Sequence, residues 1–232
     1  MSALAIVPDG DAIVLAADGA AYDKVTGRVA GSGTKMQFLP HLGAIVAAVG
    51  QGHLIHIVPH LIGMRFSGFD DLRRDFVDLC QQSVEIQRNC GAWRDDCRAT
   101  VILAGWSKKR QAFQIFKLHT LQKYECAAWQ LHPIDGVWAS TAPPPEHMAA
   151  LGLDAEADSA LDIAAKLVCA NRLDSGPGRD GEEAYGVGCF LQMAILKRDG
   201  MSSFIAHRWP DRPGRVIKPA AGSMPRFPVA MP

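Results

Sequence analysis

Net charge is the first thing this sequence lacks. Across 232 residues, 24 lysines and arginines are balanced by 24 aspartates and glutamates. With no basic excess and no basic stripe, there is no electrostatic footprint for nucleic acid or for an anionic membrane surface. Long apolar runs are missing too. No stretch reaches the roughly 20 residues that a membrane helix needs. The N-terminus has no basic region followed by a long apolar run, which argues against a secretory signal. The six cysteines (Cys80, Cys90, Cys97, Cys126, Cys169 and Cys189) are scattered without a C-x-x-C pair. That argues against a zinc site or a disulfide framework and for buried or free thiols in a reducing cytoplasm. No linker divides the chain internally. With 48% hydrophobic residues, the expectation is one large domain over residues 1–210. Residues 211–232 hold five of the 14 prolines and read as an extended tail without a core of its own.

What is present starts with the first fifty residues. Residues 3–7 and 12–17 are apolar runs joined by Pro8-Asp9-Gly10-Asp11, a hairpin signal. Their near-continuous apolarity predicts strands covered on both faces. Residues 19–33 are small and polar, a loop or irregular ribbon. Residues 34–39 alternate, with Met36 and Phe38 on one face and Lys35 and Gln37 on the other. Residues 43–49 read as another buried strand. A helix follows over residues 53–66, kinked at Pro59, and then an amphipathic helix over residues 69–87. Asp70 or Asp71 is placed to cap the second helix, and Leu72, Phe76, Leu79, Ser83 and Ile86 form its stripe.

The second half repeats the theme. Residues 99–106 and 111–118 form a hairpin, 125–131 and 136–140 two further strands, 146–151 and 159–171 helices, 173–183 a loop, and 188–196 with 202–209 a last hairpin. Strands in runs, separated by runs of helices, argue for an α+β fold rather than alternating βαβ units. Buried strands need helices on both sides, so the expected architecture is a four-layer αββα sandwich.

Several polar features have plain structural readings. His53, His56 and His60 share one helix face, but no carboxylate or cysteine joins them at metal-binding spacing, so they read as a polar interface stripe. Cys189 has no evident positive neighbour and reads as a small buried residue. Lys108, Lys109 and Arg110 read as a solvated hairpin tip. His207 to Pro210 reads as a docking segment or as the close of the last strand.

Three further segments carry a resemblance: V-L-A-A-D-G at residues 14–19, G-T-K-M-Q-F-L at 33–39, and A-I-V-A-A-V-G-Q-G at 44–52. Together with G-W-S-K-K-R-Q-A-F at 105–113, they make the chain resemble the proteasome-type N-terminal-nucleophile hydrolases, including the bacterial HslV-like peptidases. The element order agrees up to about Trp209. In that family the first residue of the mature chain is the nucleophile, an aspartate closes the second strand and a lysine opens the third. The residues in those places are Ser2, Asp18 and Lys35. Asp18 follows Ser2 by sixteen places, as in the family, and Lys35 follows Asp18 by seventeen, one more than in the family. Serine stands where the proteasome pattern has threonine. The family's D-A-Y-S-G-G-like segment is E-A-Y-G-V-G here, with Glu183 in the place of the aspartate and Gly186 in the place of the serine. Ser140, in A-S-T-A, corresponds to the family's other supporting serine.

The resemblance implies a chemistry. A hydroxyl is a weak nucleophile at neutral pH and needs an adjacent base. Removal of Met1 would free the α-amine of Ser2, whose reference pKa of about 7.7–8.0 suits that task. Lys35 would add positive charge beside the hydroxyl, Asp18 would hold Lys35, and the amide of Gly50 or Val49 would serve as oxyanion donor. The resemblance further implies a peptide or small amide as substrate, no cofactor and no metal, and a homo-oligomer such as a ring. A regulatory ATPase partner stays open. A serine at the second position signifies nothing by itself, and Asp18–Lys35 is equally readable as a structural buried pair. A catalytically inactive relative with a structural or assembly role is therefore the alternative.

Overall fold

The structure, a computed structural model, describes the chain except residues 1, 24–25, 52–53, 95–96, 124–125, 178–182, 220–222 and 230–232; for residues 177 and 183 it describes the backbone only. In chain order the elements are β1 (Leu4–Asp9), β2 (Ala12–Asp18), β3 (Ala20–Asp23), β4 (Arg28–Ser32), β5 (Met36–Leu39), β6 (Ala44–Gly50), α1 (Leu54–Ile62) and α2 (Phe69–Asn89). They continue as β7 (Ala99–Ser107), β8 (Ala112–His119), β9 (His132–Pro133), β10 (Trp138–Ala139), α3 (Pro145–Ala150), α4 (Ala160–Leu173), β11 (Gly176–Pro177), β12 (Glu183–Ala184), β13 (Phe190–Lys197) and β14 (Gly200–Arg208). The result is a mixed α/β fold with antiparallel sheets. One five-stranded sheet has the order β10-β1-β2-β13-β14, the other β5-β6-β7-β8-β9.

The continuous apolar runs are explained by what lies on each face of the strands. In β1, Leu4 and Ile6 cluster with Ile45, Ala47, Ile102 and Ala104 of the other sheet. The alternate residues Ala5 and Val7, with Ala3 before them, cluster with Ala164, Val168 and other residues of α4. Strand β6 is divided in the same way: Ile45 and Ala47 meet the first sheet, while Val46 and Ala48 meet Leu54, Leu72 and Phe76 of α1 and α2. A period of two along each strand thus serves two apolar environments, so neither face carries polar residues.

Departures from the sequence expectations have local causes. The polar stretch after Asp18 pairs as the β3–β4 ribbon, with a bulge between Ala21 and Tyr22. No side chain caps α2, whose N-cap is Gly68. Asp70 instead accepts from the Ser107 hydroxyl at 2.6 Å and the Lys109 amide at 3.1 Å, tying the helix to the β7–β8 turn. Asp71 takes the hydroxyl of Ser67. The α2 stripe does not run on to Ile86, which is 41% exposed; it continues through Cys80, Val84 and Gln87, as a 3.6-residue period requires over five turns. Of the strand expected over 125–131, residue 125 lies outside the described residues and 126–131 hold only an isolated bridge at Cys126, with the two-residue β9 just after them; the strand expected over 136–140 shrinks to the two residues of β10. The chain is changing sheets here: β9 pairs with β8, and β10 pairs with β1. The expected 173–183 loop carries the short β11–β12 pairing.

After β14, the described residues form no helix or strand, but their side chains are not idle. Ile217 is buried with Ala20, Val29 and Cys189. Met224, Phe227 and Val229 pack against the α4 side of the first sheet. No described helix is long and apolar enough to cross a membrane.

Close approach of α2 to β7 depends on one glycine. A Cβ on Gly105 would fall 2.1 Å from a ring carbon of Phe69. Gly105→Ala is expected to destabilise the fold by about 1–3 kcal/mol through overpacking. Urea denaturation should show a lower midpoint, partly recovered by adding Phe69→Leu; an unchanged midpoint for the single variant would contradict this packing account.

Candidate functional site

The last residue of β2, Asp18, is 1% exposed. A buried carboxylate is tolerable only when its charge and lone pairs are matched. Here one oxygen, Oδ1, accepts from the Ala3 amide at 2.9 Å and from the Lys35 ammonium. The other, Oδ2, accepts from the amides of Ala20 at 3.0 Å and Gly188 at 3.1 Å. Four donors meet the roughly four acceptor positions of a carboxylate. They come from the start of the chain, from β3, from the loop before β13 and from the entry to β5. Asp18 is therefore a junction of four segments as well as the partner of Lys35.

Lys35 is held from both sides. Its carbonyl accepts from the Ala48 amide at 3.0 Å. The preceding Thr34 hydroxyl accepts from the Met36 amide at 3.1 Å and lies 2.8 Å from Gln192 Oε1. The Lys35 side chain, 12% exposed, is pinned by Asp18 and reaches a cavity of about 470 Å³. Ser2 and Gly50 line the same cavity, with Val49 beside them; Asp18 does not line it.

Ser140 supports the first strand. Its Oγ accepts from the Leu4 amide at 3.1 Å and lies 3.2 Å from the Ser2 carbonyl, to which it donates. Its amide donates to the Leu4 carbonyl at 2.8 Å. Gly50 ends β6 with φ +98°, and a Cβ there would sit 2.2 Å from the Arg98 carbonyl oxygen, so both its backbone and its surroundings demand glycine. Gly186 is buried. The backbone of Glu183 pairs with Pro177, but its side chain lies outside the described residues, as do Met1 and His53.

The structure adds residues that sequence reasoning passed over. Tyr22 from the β3–β4 ribbon and Gln51, Ile55 and His56 at the start of α1 also line the cavity. His56 had a signal in the histidine stripe, but periodicity alone does not say what a helix face meets. Among the described side chains, no carboxylate lines this cavity. Among the described residues, no group of three His, Cys, Asp or Glu could hold a metal. A larger cavity, about 780 Å³, lies between the β1–β2 turn and the β7–β8 hairpin, with Arg73, Trp106 and Arg110 in its wall. None of the described candidate side chains lines it.

Cys189 corrects one expectation. Positive groups do act on it, since Lys35 and Arg172 both favour its thiolate. Burial, Asp211 and Asp18 outweigh them and push the thiol above its ordinary range, so it remains a protonated, buried side chain. On β8, burial and then the charges of Lys123 and Lys117 push His119 down to about 4, leaving a neutral ring whose Nδ1 lies 3.0 Å from Thr100 Oγ1. Lys123, itself pushed down by burial, donates to the Ser140 carbonyl at 3.2 Å.

No family model matches the sequence, and no curated protein matches it. Solved structures do. The chain is similar to an Anbu (Gly-1) mutant from Hyphomicrobium sp. strain MC1, at a TM-score of 0.56 and 14% identity, over 88% of this chain and 85% of that one. It is similar to Anbu, an ancestral beta-subunit, from Yersinia bercovieri, at a TM-score of 0.58 and 12% identity, over 88% of this chain and 86% of that one. At such identity the likeness bears on the fold alone, which is of the Anbu kind.

The buried pair makes a direct prediction. Asp18→Asn leaves the Lys35 ammonium without its anion, and breaking a buried pair from one side costs about 3–5 kcal/mol. Equilibrium denaturation should show that loss, and Asp18→Asn with Lys35→Met should regain part of it. A wild-type midpoint for the single variant would contradict a charged, mutually dependent pair.

Proposed function

We propose that the chain is a proteasome-like N-terminal-nucleophile amide hydrolase, a peptidase built as a four-layer αββα sandwich over residues 1–210 with a proline-rich segment at 211–232. The observation that carries this reading is the single cavity lined by Ser2, Lys35 and Gly50, with Asp18 holding the lysine from behind. Two facing sheets with helix clusters on their outer sides support the four layers.

In this reading, loss of Met1 frees the amine of Ser2. The amine takes the hydroxyl proton as Oγ attacks the substrate's carbonyl carbon. Lys35 stabilises the forming alkoxide, and the backbone amide at Gly50 stabilises the oxyanion. The amine then returns the proton to the leaving nitrogen, the C–N bond breaks, and water hydrolyses the acyl ester on Ser2 by the reverse use of the same base. Ser140 orients the Ser2 backbone, and Glu183 takes the place the resemblance gives to an aspartate. A peptide or small amide with uncharged side chains suits a cavity walled by Ala20, Ala21, Ala48, Tyr22 and Gln51. Assembly into a homo-oligomeric ring accords with the beta-subunit description of the Yersinia bercovieri neighbour. The six unpaired cysteines accord with a reducing cytoplasm.

One observation favours a second reading, a catalytically inactive protein with a structural or assembly role. Gly186 offers no hydroxyl where the resembled family has a serine, and Asp18 with its four donors is sufficient as an architectural junction. Turnover separates the two. With Met1 removed, the protein should cleave fluorogenic peptides, and Ser2→Ala should lower kcat at least a thousandfold with the fold intact by circular dichroism. Equal turnover by Ser2→Ala would overturn the assignment of Ser2, and absence of turnover by a chain that begins at Ser2 would favour the inactive reading.

A further inference from the structure

The most unusual buried group outside the site is Arg172 on α4. Its side chain is fully buried, and it forms a two-pronged pair with Asp211: Nη1 to Oδ2 at 2.8 Å and Nη2 to Oδ1 at 3.0 Å. Nη1 also donates to the Val187 carbonyl at 2.7 Å, and the guanidinium stacks 4.5 Å from the centre of the Trp209 ring. Asp211 Oδ2 accepts in addition from the Cys189 amide at 2.9 Å. The Arg172–Asp211 pair thus grips the residues on either side of Gly188. Gly188 donates its own amide the other way, to Asp18, and its carbonyl accepts from the Gly19 amide at 3.1 Å.

Consecutive amides therefore face two different carboxylates, Asp18 and Asp211. An ordinary strand does not keep them so. Cys189 adopts φ +65°, uncommon for a residue with a side chain. A Cβ on Gly188 would lie 2.4 Å from Asp211 Oδ2 and 2.8 Å from Arg172 Nη1, so only glycine lets the ion pair close against the backbone. A buried ion pair is a poor device for stability alone, since apolar packing of similar volume does as well; a forked guanidinium adds fixed geometry.

The segment after Asp211 also touches the β3–β4 ribbon. Val29 exchanges backbone bonds with it, Val29 N to Arg215 O at 2.9 Å and Gly214 N to Val29 O at 2.8 Å, while Arg28 Nη1 donates to the Gly214 carbonyl at 3.0 Å. Those contacts brace β4, whose partner β3 begins at Ala20, another amide donor to Asp18.

We propose that Asp211, locked by Arg172, is a positioning residue for the Asp18–Lys35 pair: it holds the Gly188–Cys189 turn so that the Gly188 amide stays on Asp18. The consequence for turnover rests on the reading of Ser2, Asp18 and Lys35 as a catalytic group; the consequence for the backbone does not. The two are tested together on the otherwise intact chain with Met1 removed. Amide hydrogen exchange by NMR reads the backbone. In Asp211→Asn the Gly188 amide should exchange at least tenfold faster than in wild type, while the Ala3 amide, which donates to Asp18 from the other side, keeps its protection. Kinetics read the site. The same variant should lose at least tenfold in kcat with KM within twofold, Asp211→Glu should restore part of the loss, and Asp18→Asn with Asp211→Asn should be no slower than Asp18→Asn alone. If Asp211→Asn fails to fold, Arg172→Lys is read in the same way, because it keeps the charge and loses the fork. Unchanged Gly188 exchange in a folded variant overturns the proposal, as does a change in KM with kcat preserved. Faster Gly188 exchange in a protein that shows no turnover supports the positioning link and counts only against the hydrolase reading.

Discussion

The structure depends on one buried carboxylate. Asp18 is withdrawn from water and offers two oxygens to four donors, three of them backbone amides: one two residues on, one 15 residues before and one 170 residues after it. Each amide fixes where its segment passes. Ala3 sets the path of the first strand and hence of Ser2. Ala20 sets the departure of the β3–β4 ribbon, which walls the cavity. Gly188 sets the turn into β13. The fourth donor, Lys35, is the one side-chain donor, and it lines the cavity with Ser2 and Gly50. A carboxylate so placed cannot lose a donor cheaply, because the remaining charge would be buried without compensation.

The sheets make that burial possible. Strands β1, β2, β6 and β7 are apolar on both faces because each faces the opposite sheet on one side and helices on the other. The polar groups collect where strands end: Asp18 closes β2, Gly50 closes β6, Lys35 precedes β5 and Ser2 precedes β1. A site built from strand ends inherits the rigidity of the sheets while remaining open to solvent on one side. The ion pair of Arg172 and Asp211 stands one turn of backbone behind, outside the cavity, with its influence passing through Gly188.

The strands of the two main hairpins were legible because apolar runs met strong turn residues at Pro8 to Asp11 and at Ser107 to Arg110. The places of Asp18 and Lys35 were legible through a family resemblance; periodicity alone would have left them as two charges at strand ends. Other features were not legible, for identifiable reasons. Asp70 looked like a helix cap by position, yet its carboxylate serves the β7–β8 turn 37 residues away. His56 belongs to a stripe whose neighbour the sequence does not reveal. The amide of Gly188 carries no side-chain signal, since its role is purely backbone geometry. Arg172 fell between the helix expected over 159–171 and the loop expected over 173–183, and its partner Asp211 lay at the start of a stretch that composition marks as tail. Strands at 125–131 failed because the chain there crosses between sheets, which local pattern does not encode.

The proposed function turns on Ser2 acting, with its own amine freed, as a nucleophile served by Lys35 and Asp18. A peptide epoxyketone tests it most directly, because that group forms a stable ring only with a hydroxyl and a free α-amine on one residue. Tandem mass spectrometry of the treated protein should place one adduct on the N-terminal peptide at Ser2, and Lys35→Met should abolish it. An adduct on any other residue, or none on a chain shown to begin at Ser2, would contradict the account.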